Sequence, residues 1–82
     1  MTEEVDIHEL VRYIVTALVD NPDDVSVDER ESEGQVAYEI TVNDEDIGKV
    51  IGRQGRIIKA IRILARAGGM MDGKQVYVDI LG

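Results

Sequence analysis

Residues 47–62, Ile47-Gly48-Lys49-Val50-Ile51-Gly52-Arg53-Gln54-Gly55-Arg56-Ile57-Ile58-Lys59-Ala60-Ile61-Arg62, decide the reading of the chain. A glycine-framed turn, Gly52-Arg53-Gln54-Gly55, stands between two short apolar patterns of helical period. The stretch carries five basic residues, Lys49, Arg53, Arg56, Lys59 and Arg62, and no acid. A bare backbone turn at a helix start offers free amides and the positive end of a helix dipole. Ringed with positive charge, it is a place for a phosphate to sit.

Working outward, Ile47, Val50 and Ile51 have i, i+3, i+4 spacing, so a short helix precedes the turn, with Asn43 or Asp44 as its cap. A second helix follows. At 100° per residue its apolar set, Ile57, Ile58, Ile61, Leu64 and Ala65, spans about 80–200° measured from Arg56. The bases Arg56, Lys59, Arg62 and Arg66 span about 240–360°. One face packs, with Ile57, Ile61 and Leu64 as core, and the other is a basic stripe. Gly68-Gly69 is the expected stop, Met70-Met71 an exposed or interface pair at the helix end, and Asp72-Gly73-Lys74 a turn. Gln75 to Leu81 then alternates as a strand, with Val76, Val78 and Ile80 on one face.

Toward the N-terminus, Ile7, Leu10, Val11, Ile14, Val15 and Leu18 line one face of a helix that Asp6 and Glu9 are placed to cap and Asp20-Asn21-Pro22 ends. Residues 2–5 are expected to fray. Val25 to Asp28 reads as a short edge strand and Glu31-Ser32-Glu33-Gly34 as a turn. Gln35 to Val42 is a second strand, completing a hairpin. A strand that leaves through two helices and returns as a strand makes a crossover, which gives a parallel pair. The expected fold is α+β, in the order α-β-β-α-α-β: a three-stranded mixed sheet with three helices packed on one face.

Eighty-two residues make one domain, 1–82, burying only about two-thirds of its unfolded surface. With no cysteine, disulfides, thiol catalysis and the usual Cys-containing zinc sites are excluded. No apolar run approaches a membrane span, and the acidic Met1-Thr2-Glu3-Glu4 start is unlike a signal peptide, so a cytoplasmic protein is expected. The net charge is −8, but it is split along the chain. Up to Asp46 there are 15 acids and two bases; from Ile47 onward there are seven bases and two acids. Because salt screens charge beyond about 8–10 Å, a ligand at the turn feels the basic half, while the acidic half suppresses non-specific binding.

The chain shows no nucleophile–base constellation, phosphate-loop sequence or dinucleotide fingerprint, so no enzyme and no cofactor are expected. His8 reads as a surface histidine. Asp44, Glu45 and Asp46 lack spaced calcium-ligand patterning and read as helix-capping acids, with no metal expected.

With eight glycines in 82 residues, about 0.75 Gly-x-x-Gly pairs arise by chance, so the turn alone identifies nothing. In context it does. Val50-Ile51-Gly52-Arg53-Gln54-Gly55-Arg56-Ile57-Ile58, between two helices of an α-β-β-α-α-β order, resembles the signature of KH domains of type II. The length resembles the small bacterial single-KH proteins of the KhpA type, and the similarity runs from the first helix to the last strand. The resemblance implies a non-catalytic RNA-binding protein gripping about four nucleotides of single-stranded RNA, with single-stranded DNA an open alternative, in the manner of an RNA chaperone or post-transcriptional regulator. Gly52 and Gly55 would let the main chain approach a phosphate. The amides of Arg53 and Gln54 and the Arg53 guanidinium would bind it, with Lys49, Arg56 and Lys59 adding attraction. Gly48, Ile51 and Ile58 would form the floor and wall of an apolar groove for the bases. The resemblance also implies a homodimer, or a heterodimer with a larger KH-containing protein; the alternative function is such an interaction or adaptor module.

Overall fold

The computed structural model describes residues 6–81, so the expected fraying of residues 2–5 lies outside the described residues. Helix α1 runs Ile7–Leu18, strands β1 and β2 run Ser26–Ser32 and Gln35–Thr41, helices α2 and α3 run Ile47–Ile51 and Arg56–Met71, and strand β3 runs Gln75–Leu81. The sheet order is β1-β2-β3, with β1 antiparallel and β3 parallel to β2. This is the α+β, mixed-sheet architecture expected of the pattern.

Period-two alternation makes the sheet one-sided. Val27, Val36, Tyr38, Ile40, Val76 and Val78 are buried under the helices, while Glu39, Tyr77, Asp79 and Leu81 alternate with them toward the other side. In register, Val27 faces Ile40, Tyr38 faces Val78 and Ile40 faces Ile80. Ile7, Val11 and Val15 of α1, Val50 of α2 and Ile58, Ile61 and Ala65 of α3 complete the core. Each fully buried aliphatic side chain contributes about 1.5–3 kcal/mol. Strand β1 reaches Ser32, beyond the Asp28 limit expected, because the hairpin closes through only two residues. Glu33 (φ 45°) and Gly34 (φ 79°) both take positive φ, the turn that matches strand twist, and this sets Ser32 opposite Gln35.

Two expectations for α3 are overturned. Gly68-Gly69 does not end the helix, which continues to Met71 with both glycines buried. Gly69 serves close approach: a Cβ there would stand 2.1 Å from Val76 Cγ2 and 3.1 Å from the Lys74 carbonyl oxygen. The Lys74 amide donates to the Gly69 carbonyl at 2.8 Å, binding the start of β3 to the helix. Leu64 is not core but 51% exposed. The buried face is centred on Ile58, Ile61, Ala65 and the two glycines, which leaves Leu64 about 90° away around the helix.

Asp46, expected as a capping acid, is instead wholly buried. Asn43 is the residue that caps, accepting from the Glu45 amide at 2.9 Å. The Asp46 carboxylate accepts from the amides of Asp20 (3.2 Å) and Asn21 (3.0 Å), from Asn21 Nδ2 (3.0 Å) and from Lys49 Nζ (3.4 Å). It therefore pins the segment after α1 to the start of α2. Burial alone would push this carboxyl up; the donors from Asn21, Asp20 and Lys49 outweigh it and hold the group below the ordinary carboxylate range.

Gly69→Ala should lose about 1–3 kcal/mol in urea denaturation despite the better helix propensity of alanine, because the new methyl meets β3. Gly48→Ala, with open space around its Cβ, should be neutral or stabilising by up to about 1 kcal/mol. Asp46→Asn should lower Tm at neutral pH by replacing an acceptor with a donor among donors. Since the folded pKa of Asp46 lies below its unfolded value, its stabilisation is complete above about pH 4 and is lost as pH falls through the folded value. The gap in Tm between wild type and Asp46→Asn should thus close on acidification; a gap unchanged down to the acid transition would contradict the role assigned to the charge.

Candidate functional site

The chain reverses between α2 and α3 in a backbone that few residues adopt. Gly52 ends α2 at φ 76°, ψ 172°, a region essentially reserved for glycine. A Cβ there would also lie 2.5 Å from Ile57 Cγ1, because the half-buried Ile57 packs directly beneath it. Gln54 (φ 58°, ψ 24°) and Gly55 (φ 72°, ψ 17°) follow in the left-handed region. The Gly55 amide donates to the Gly52 carbonyl at 3.1 Å, and Arg56 donates to Arg53, closing the turn.

This geometry leaves donors open. Among the described residues, no hydrogen bond engages the amides of Arg53 and Gln54. Helix α3 starts after Gly55, and no side-chain hydrogen bond caps it. The positive end of a 16-residue helix therefore meets an exposed loop.

Of the basic residues expected here, Arg53, Arg56 and Lys59 are exposed and, among the described residues, form no ion pair. Arg56 leans back to Gln54 Oε1 at 3.3 Å, and the Lys59 stem passes beside Gly55. Lys49 is placed differently. Its ammonium is held between the carboxylates of Asp20 and Asp46, and the bond to Asp20 is the main cause that raises its pKa. Gly48 is exposed and Ile51 half-buried beside the turn, whereas Ile58 is 6% exposed and belongs to the core. Ile58 thus supports the surface from below rather than lining it.

The basic stripe of α3 divides as well. Arg62 donates through Nε to the Val78 carbonyl at 2.9 Å and pairs with Asp79 at 3.5 Å, covering the free edge of β3. Arg66 points toward a cavity of about 330 Å³ that it lines with Met70, Lys74, Gln75, Val76 and Tyr77. None of the three tyrosines is near the turn in the chain, yet Tyr77 lines this cavity. The outward alternation of Tyr77 between Val76 and Val78 was the available signal, but which helix face it borders depends on the crossover. No helix among the described residues is long and apolar enough to cross a membrane, and no cluster of three or more potential metal ligands occurs among them.

Residues 8–80 match the family model described as KhpA/KhpB, KH domain. The chain is 49% identical over 73 residues to the RNA-binding protein KhpA of Caldanaerobacter subterraneus subsp. tengcongensis, covering 89% of this chain and 97% of that one. It is 48% identical to the Clostridium perfringens protein of the same name over equal shares, and 43% identical to that of Bacillus subtilis over 90% and 91%. Two crystal structures of Era share the fold over 99% of this chain and 32% of theirs. One is an Aquifex aeolicus variant bound to GDP and AlF4−, with TM-score 0.65 at 20% identity. The other is a complex with MgGDPNP and a segment of 16S ribosomal RNA, with TM-score 0.62 at 22% identity. This chain spans about a third of the Era chains, so that likeness concerns the fold alone. With its Gly-x-x-Gly turn set between α2 and α3 of a mixed-sheet α+β fold, and the family match running nearly end to end, the chain belongs to the KhpA/KhpB family of KH-domain proteins.

Proposed function

We propose that this protein binds RNA without catalysis, gripping about four nucleotides of a single strand at the Gly52–Gly55 turn. The observation that carries the reading is the pair of unengaged amides at Arg53 and Gln54, at an uncapped helix start flanked by the free cations of Arg53, Arg56 and Lys59. A phosphate meets donors and positive charge there with no side chain in the way. Gly48 and Ile51 offer the adjoining apolar surface, supported by Ile58, and Lys49 lies at its margin. The names of the KhpA relatives support the same ligand class. A module of this size, acting in the cytoplasm, suits the work of an RNA chaperone or post-transcriptional regulator.

A second reading, compatible with the first, rests on a separate observation. On the outward side of α3, Ile63 (66%), Leu64 (51%), Met70 (78%) and Met71 (78%) form an exposed apolar stripe. Unpartnered apolar surface of this kind marks an interface. A second copy of this chain, or a larger KH-containing partner, is the proposed occupant.

The turn is tested with Arg53→Asp combined with Gln54→Asp. Substituting Gly52 would strain the backbone and strike Ile57, whereas both middle positions are exposed and aspartate tolerates the left-handed conformation at Gln54. In fluorescence anisotropy with short unstructured RNA, the variant should lose binding while keeping the wild-type Tm; binding equal to wild type would refute the clamp. The wild-type slope of log K against log salt should be about −1.4 to −2.8, reflecting two to four phosphates on a single strand. For the stripe, Ile63→Glu with Leu64→Glu should convert a dimer to a monomer in light scattering; a wild-type monomer at all concentrations would remove self-association.

A further inference from the structure

The residue that meets Lys49 most closely is Asp20, and the structure does not leave that meeting to chance. Asp20 follows the end of α1, where its amide is bound by the buried Asp46 carboxylate. The next residue, Asn21, is held by two more hydrogen bonds to the same carboxylate. The backbone under Asp20 is therefore fixed against α2, and its own carboxylate is presented to the Lys49 ammonium. The Asp20 side chain is 77% exposed and that of Lys49 42%, so the pair lies at the surface, three residues before Gly52. Asp24 is tied to Asn43 at 3.0 Å, which holds a second acid of the same loop beside the α2 entrance.

A carboxylate and a phosphate oxygen compete for the same ammonium. We propose that Asp20 is an internal competitor for the nucleic-acid phosphate at Lys49, lowering the affinity of the turn and confining strong binding to strands that also satisfy Arg53 and the open amides. The inference rests on the RNA-binding reading above. It explains why Lys49, alone among the cations beside the turn, is neutralised in the ligand-free protein. It also gives the acidic half of the chain a local role in place of diffuse repulsion, which salt screens beyond about 8–10 Å. Lys49 remains reachable because an exposed ion pair is weak enough for a ligand to exchange.

The test is a double-mutant cycle on RNA binding, read by anisotropy with one short single-stranded RNA. Asp20→Asn keeps size and leaves the amide that Asp46 holds, so the fold should be retained. It should tighten binding about threefold at low salt. It should also steepen the slope of log K against log salt by about 0.7, as expected for one more phosphate contact on a single strand. In a Lys49→Met background the same substitution should give no gain, and Asp28→Asn, an equal change of net charge on β1, should give none in the wild type. An unchanged affinity for Asp20→Asn, or a gain that persists without Lys49, would overturn the competitor role while leaving the RNA-binding reading intact. Failure of wild type and Asp20→Asn alike to bind RNA would overturn both.

Discussion

The reversal at Gly52–Gly55 is the constraint on which the rest of the structure depends. Two helices must end and begin within four residues so that α3 can lie across the sheet and deliver β3 parallel to β2. A backbone with three positive φ values, at Gly52, Gln54 and Gly55, accomplishes this, and only glycine at position 52 leaves room for Ile57 beneath. The consequence is chemical as well as architectural. A turn this tight spends its carbonyls on itself and leaves the Arg53 and Gln54 amides without partners, which in an exposed loop is a ready anion site.

Around that turn, charge is partitioned rather than averaged. Among the described residues Arg53, Arg56 and Lys59 form no ion pair, whereas Lys49, Arg62 and Lys74 are each committed to carboxylates of the segment after α1, of β1 or of β3, or to the buried Asp46. A net charge of −8 is therefore compatible with an anion-binding surface. The buried Asp46 links the two themes, because it anchors the acidic segment after α1 and also touches Lys49. Stability and the electrostatic setting of the site share one carboxylate.

Much of this was legible from residues alone, for physical reasons. Helix α1 and strand β2 have strict periodicity over long stretches, so their buried faces, Val11 and Val15 or Val36, Tyr38 and Ile40, could be named in advance. The turn was legible because glycine spacing and flanking charge are local. What failed depended on contacts distant in the chain. Gly68-Gly69 reads as a helix stop until β3 is laid against it, when the missing Cβ of Gly69 is what leaves room for Val76. Leu64 fits an apolar stripe until that glycine pair rotates the buried face away from it. Asp46 looks like one of three helix-capping acids, and only the fold brings Asp20 and Asn21, 25–26 residues earlier, onto its oxygens. Lys49 belonged to the basic run by sequence, and its carboxylate partners belong to another part of the chain.

The central claim is that single-stranded RNA is held by the backbone and cations of this one turn. The most direct measurement is a titration of isotope-labelled protein with a short unstructured RNA, followed residue by residue through backbone amide chemical shifts. The account predicts the largest shifts at Arg53, Gln54, Gly55 and Arg56, spreading to Gly48, Ile51 and Lys59, with the outward side of α3 from Ile63 to Met71 unmoved by RNA. Shifts concentrated on that outward side or on the acidic strand β1, with the four turn amides unmoved, would contradict it.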